Sequence, residues 1–168
     1  GKIASEVREA SKPLIKVGAR IVDIAEKIES MIRERGAEPA FPVNISINDI
    51  AAHYTPTKND TTTIRDNDIV KIDIGTHLDG FVGDTAYTIS FNEHFENLVK
   101  ASQAALEEAI KFCMPGMRLH ELSSAIETTI KSFGFKPIEN LTGHGLEQFD
   151  LHAEPQIPNV KFSGKYEL

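Results

Sequence analysis

The sequence is short of several things. It has one cysteine, no tryptophan and no long apolar run. A lone thiol, Cys113, rules out an intrachain disulfide, so burial must hold the core. No stretch approaches the roughly 18 apolar residues of a membrane helix. Basic residues are outnumbered, 18 Lys and Arg against 25 Asp and Glu, for a net charge of −7. That balance leaves no basic footprint for nucleic acid. One thiol and no signal-like segment fit a reducing cytoplasm. In that setting the sequons at Asn44, Asn59 and Asn140 read as chance matches. Cys113 falls in an apolar helical pattern and is expected to be a buried structural thiol.

What is present is ordinary in amount and unusual in arrangement. The 168 residues, 40% hydrophobic and 26% charged, suffice for a domain with a real core. Residues 18–39, GARIVDIAEKIESMIRERGAEP, align without a gap with 116–137, GMRLHELSSAIETTIKSFGFKP, at an offset of 98. Gly18, Arg20, Ile28, Glu29, Ile32, Gly36 and Pro39 recur as Gly116, Arg118, Ile126, Glu127, Ile130, Gly134 and Pro137. Such a match suggests a duplicated unit. Each copy predicts an amphipathic helix closed by glycine and then proline. A helix precedes each: residues 3–16, irregular at Pro13, and residues 95–113. Helices and antiparallel strands in blocks predict an α+β fold, an antiparallel sheet flanked by helices. The first copy reaches paired strands at 70–90, and the same offset carries residue 70 to 168, the last residue. The chain is therefore expected to be part of a larger pseudo-symmetric domain. Its first half covers about 1–92 and the start of the second about 93–168.

Within VKIDIGTHLDGFVGDTAYTIS (70–90), Asp79–Gly80 predicts a two-residue type I′ turn. Leu78 then faces Phe81, Asp73 faces Ala86, and Asp84 faces Gly75. Asp73 and Asp84 become diagonal neighbours on one face, with Gly75 and Ala86 leaving space beside them. Val70, Ile72, Ile74, Phe81, Tyr87 and Ile89 make the packing face. A three-residue loop would put the two carboxylates on opposite faces. Two close carboxylates repel unless one holds a proton or a cation binds. A solvated polar face is the plain alternative.

There are six histidines. His77, His94 and His120 read as surface. His144 lies between Gly143 and Gly145, just past a predicted strand at 136–141. His152 reads as half-buried, and His53 lies between a strand-like run and a polar turn. Each alone reads as a satisfied polar residue. Beside two paired aspartates, the set suits a hydrolase built on a first-row divalent metal.

The blocks PAFPVNISINDIAAHYTP (39–56), KIDIGTHLDGFVGDTAYT (71–88) and FKPIENLTGHGLEQFDLHA (135–153) resemble the type-2 methionine aminopeptidases of the archaeal sort. The resemblance covers nearly the whole chain but only the N-terminal part of the family's catalytic domain. It implies a pita-bread fold of two related halves. It also implies excision of N-terminal methionine from nascent chains by two divalent ions, cobalt, manganese, iron or zinc. Asp73, Asp84 and His144 then correspond to metal ligands, with Asp84 bridging. His53 and His152 correspond to catalytic histidines on the substrate side, and His53 to the one alkylated by epoxide inhibitors. Phe41 and Leu151 correspond to walls of the methionine pocket. Two further glutamate ligands, one of them the general base, are expected beyond Leu168, so the isolated chain should lack full activity. The missing part of the domain would then be a partner. Two other readings are a pita-bread binding module without activity and a proline-specific aminopeptidase.

Overall fold

The structure is a computed structural model and describes residues 1–163. Residues 164–168, the end of the expected second half, lie outside the described residues. Helix α1 (Lys2–Ser11) gives way to a 3₁₀ turn at Lys12–Leu14. Pro13 lacks the N–H that would continue the α-helix, so the expected irregularity falls there. Helix α2 (Ile21–Glu34) buries Ile21, Ile24, Ala25, Ile28 and Ile32 along one stripe. Strands β1 (Glu38–Pro39), β2 (Asn44–Ile47), β3 (Ile69–Leu78) and β4 (Phe81–Ser90) form one antiparallel sheet. Strand β3 is its axis. It pairs with β4 along one edge and with β1 and β2 along the other.

Helices α3 (Glu96–Phe112) and α4 (Leu119–Ser132) follow. Strands β5 (Thr142–Glu147) and β6 (Asp150–Pro158) then pair with each other. The chain divides into two compact units. Gly1–Glu93 groups with Glu147–Leu151, and His94–Leu146 groups with His152 and the described residues after it.

The first unit has the larger core. Val7 of α1, Ile28 and Ile32 of α2, and Val70, Ile72 and Ile74 of β3 are fully buried together. Alternation on β3 turns Lys71, Asp73 and Gly75 the other way. In the second unit Ala105, Leu122 and Ile126 form a small core with Ala109, Phe112, Ile130 and Ile157. A groove of about 470 Å³ opens beside it, lined by Leu98, Leu106, Ile110, Ile138 and Ile157 among others. Leu106 and Ile110 are 61% and 63% exposed.

The offset of 98 has a geometric counterpart. Arg20 and Arg118 cap their helices at φ −78°, ψ 132° and φ −77°, ψ 126°. Gly36 and Gly134 both lie in the left-handed region, at φ 76° and 84°. The closing hydrogen bonds also correspond: Ala37 N–H donates to Ile32 O, and Phe135 N–H to Ile130 O.

Three expectations need correction. The strand placed at 136–141 is irregular chain, and β5 begins at Thr142. Pro137 cannot donate to a ladder, and the Asn159 side chain instead donates to the carbonyls of Ile138 and Leu141. Cys113 is exposed rather than buried, because α3 ends at Phe112 and the cysteine sits past its last turn. Phe81 is 66% exposed, since it flanks the hairpin turn.

Truncating Ile28 to alanine should cost about 2–5 kcal/mol. Leu106→Ala, at an exposed site, should change stability by no more than about 0.5 kcal/mol. Urea unfolding of the two variants checks this, and equal losses would contradict the core described above.

Candidate active site

The hairpin turn has the register that its sequence predicts. Asp79 and Gly80 sit at φ 52° and 83°, as a type I′ turn requires. Leu78 faces Phe81, Asp73 faces Ala86, and Gly75 faces Asp84. Asp73 and Asp84 are therefore diagonal neighbours on the face turned away from the core, within the roughly 7–8 Å typical of such pairs. Asp73 is half-buried and Asp84 is exposed.

The space expected beside Gly75 is filled. A Cβ on Gly75 would lie 2.2 Å from Cε1 of Phe41. The Phe41 ring thus lies on the aspartate face, beside the residue directly across from Asp84 and two along from Asp73. An apolar wall and two carboxylates share one patch of sheet.

His53 lies in the loop between β2 and β3. It is exposed and has φ 65°, a backbone region uncommon for a residue with a side chain. The next residues are tied down. Tyr54 O accepts from Ile45 N–H at 2.7 Å, and Thr55 Oγ1 donates to Asn44 Oδ1 at 2.9 Å. Asn44 faces Asp73 across β2 and β3. Asn44 and Thr55 thus border the carboxylate patch. Nothing local in the sequence points to them, because their place depends on a long-range strand register.

Asp60 anchors the same loop. It accepts from Tyr54 Oη at 2.7 Å and from Thr62 N–H at 2.8 Å. Hydrogen bonds from Thr62 and then Tyr54 hold its carboxyl below the usual aspartate range. The bond to Asp60 pushes the Tyr54 phenol up. On the sheet, burial lowers the Lys71 ammonium.

In the other unit His144 is half-buried on β5 and its Nδ1 lies 3.1 Å from Gly145 O. Its ring meets His152 of β6 edge-on, with centroids 4.7 Å apart. His152 is exposed rather than half-buried, since its neighbour Ala153 takes the inward position. Gly145 has a steric role: a Cβ there would lie 2.3 Å from Glu154 O. Leu151, in the first unit, is half-buried. His94 is exposed as expected. His77 and His120, expected at the surface, are half-buried. His77 Nδ1 accepts from Gly80 N–H at 3.3 Å, and His120 Nδ1 is enclosed.

The two aspartates thus meet in one unit and two histidines meet in the other. Among the described residues, no three His, Cys, Asp or Glu side chains gather closely enough to hold an ion. The donors suit a divalent metal in kind, carboxylate and imidazole, and fall short of a closed cage in number.

The model of metallopeptidase family M24 matches residues 1–167. The chain belongs to that family. This M24 chain is 49% identical over 160 residues to a methionine aminopeptidase of Methanocaldococcus jannaschii, covering 95% of the chain and 54% of that protein. It is 44% identical to one of Methanothermus fervidus, over the whole chain and 96% of that protein. The crystal structure of methionine aminopeptidase from Thermotoga maritima superposes with a TM-score of 0.86 at 31% identity, covering 96% of this chain and 68% of that one. The α+β arrangement is the pita-bread fold. The chain spans about half the length of the first of these relatives. No helix among the described residues is long and apolar enough to cross a membrane.

The sign of the Asp60 shift fixes a pH dependence. A depressed carboxyl stabilises the folded loop above the ordinary aspartate pKa of about 3.9 and loses that effect as pH falls through the lower folded value. Tyr54 works the other way: its contribution holds below about pH 10 and fades as pH rises through its raised value. In a carboxyl-detected NMR titration, Asp60 should therefore titrate below the usual range. Tyr54→Phe should move the midpoint up, and an unmoved midpoint would rule the bond out.

Proposed function

We propose that the intact protein is a cytoplasmic aminopeptidase that removes the N-terminal methionine of nascent polypeptides with two divalent metal ions. The observation that carries this is the shared patch on the β3–β4 hairpin. Two diagonal carboxylates lie beside an aromatic wall, in a chain whose relatives are methionine aminopeptidases. In this reading Asp73, Asp84 and His144 would hold the metal ions. Bound ions would acidify a water and polarise the scissile carbonyl.

The chain's own residues do the rest. Phe41 and Leu151 enclose an unbranched apolar side chain. His53 and His152 hold the peptide and donate to the oxygen on which charge develops. The exposed position of His53, on a backbone held at both ends of its loop, suits a group that must reach substrate. Manganese, iron, cobalt and zinc all accept these donors.

Three ligands are too few for two ions. The resemblance supplies two glutamates from beyond Leu168, one of them the general base. The 168 residues alone should therefore turn over slowly, and association with the remaining part of the domain should restore the rate.

The intact gene product should release methionine from a Met-Ala peptide, lose that activity to a chelator, and regain it with Co²⁺ or Mn²⁺. Asp84→Asn and His144→Ala should each lower kcat/KM by on the order of 100-fold or more. Activity indifferent to chelation would overturn the metal reading. Release of Xaa from Xaa-Pro peptides in preference to methionine would overturn the substrate. Full turnover by the isolated 168 residues would sink the need for further ligands.

A further inference from the structure

Gly75 stands in the middle of the β3–β4 hairpin, at a place where strand geometry favours a larger residue. Its φ is not in the left-handed region, so backbone freedom does not explain it. Space does. An added Cβ would lie 2.2, 2.4 and 2.8 Å from Cε1, Cδ1 and Cζ of Phe41. The ring occupies the volume a side chain would take.

Nor can the ring retreat with its backbone. Pro39 pairs with Thr76 on β3, and Ala40 N–H donates to Gly75 O at 3.0 Å. Pro42 follows with a fixed φ, and Val43 is fully buried. Phe41 is therefore held on both sides, with the strand surface at Gly75 as the seat of its ring.

We propose that Gly75 is a positioning residue: it seats the Phe41 ring against β3 and so sets the depth of the pocket for the substrate's first side chain. This rests on the aminopeptidase reading above. Any Cβ at 75 lifts the ring toward the space where that side chain must lie. A long unbranched side chain such as methionine then loses its place before a short one does.

A double-mutant cycle in the intact gene product tests this, with Gly75→Ala, Phe41→Ala and the pair. Gly75→Ala should raise KM for a methionyl peptide about 10-fold while kcat changes by less than about threefold. An alanyl peptide should be affected much less. In the Phe41→Ala background the same change should alter KM by less than about twofold. An equal effect with and without the ring, or no effect at all, overturns the proposal. Thermal melting of the same four proteins separates this from the wider reading. Gly75→Ala should lower Tm with Phe41 present and leave it unchanged in the Phe41→Ala background. Should the parent protein release no methionine, the aminopeptidase reading falls, and the melting cycle alone decides whether Gly75 seats the ring. Equal lowering in both backgrounds overturns it.

Discussion

Two adjacent residues with positive φ, Asp79 and Gly80, decide which side of the sheet every residue of the β3–β4 hairpin occupies. Side chains alternate along a strand, so a turn one residue longer would change that parity between the two strands. Asp73 and Asp84 would then part, and Val70, Ile72 and Ile74 would face a strand whose apolar residues pointed away. One turn thus couples the core to the chemistry: the register that buries three aliphatic side chains also pairs two carboxylates. The turn has outside support. Gly80 O accepts from Phe149 N–H at 2.9 Å, and the Gln148 side chain donates to Asp79 O at 2.8 Å.

The repeated helix shows how one local design meets two surroundings. Caps, closing glycines and closing hydrogen bonds agree at an offset of 98, so local sequence dictates local geometry in both copies. Burial differs. Ile32 of α2 is fully buried beneath the sheet, while its counterpart Ile130 on α4 is only partly covered. Val7 of α1 packs into the larger core, and its counterpart Ala105 on α3 borders the open groove. Tertiary context sets the burial, and each side chain buried in full contributes about 1.5–3 kcal/mol.

What the sequence revealed follows from which constraints are local. Helices, their glycine stops and the Asp–Gly turn were all legible, because propensity and turn chemistry act within a few residues. The aspartate pairing followed, because the turn propagates its register through ten pairs. The misreadings lie where distant chain decides. The run 136–141 has strand-like residues but finds no partner strand, its carbonyls being taken by Asn159. Cys113 matched a helical stripe that ended one residue earlier. Asn44 and Thr55 reach the carboxylate patch through a register between β2 and β3 that leaves no local trace.

Glycine is the residue whose meaning depends most on what lies across from it. Gly75 and Gly145 both sit in strands, and from sequence Gly75 looks like space left beside the carboxylates. In the structure each is a point of contact. Glu154 O comes within 2.3 Å of where a Cβ on Gly145 would be, and the Phe41 ring lies at a similar distance over Gly75. The two differ in what a substitution would move. At Gly145 the obstacle is backbone, so an added methyl must displace the β5–β6 pairing itself. At Gly75 the obstacle is a single aromatic side chain on the face that carries both carboxylates. A methyl there acts first on the shape of the patch and only afterwards on the sheet.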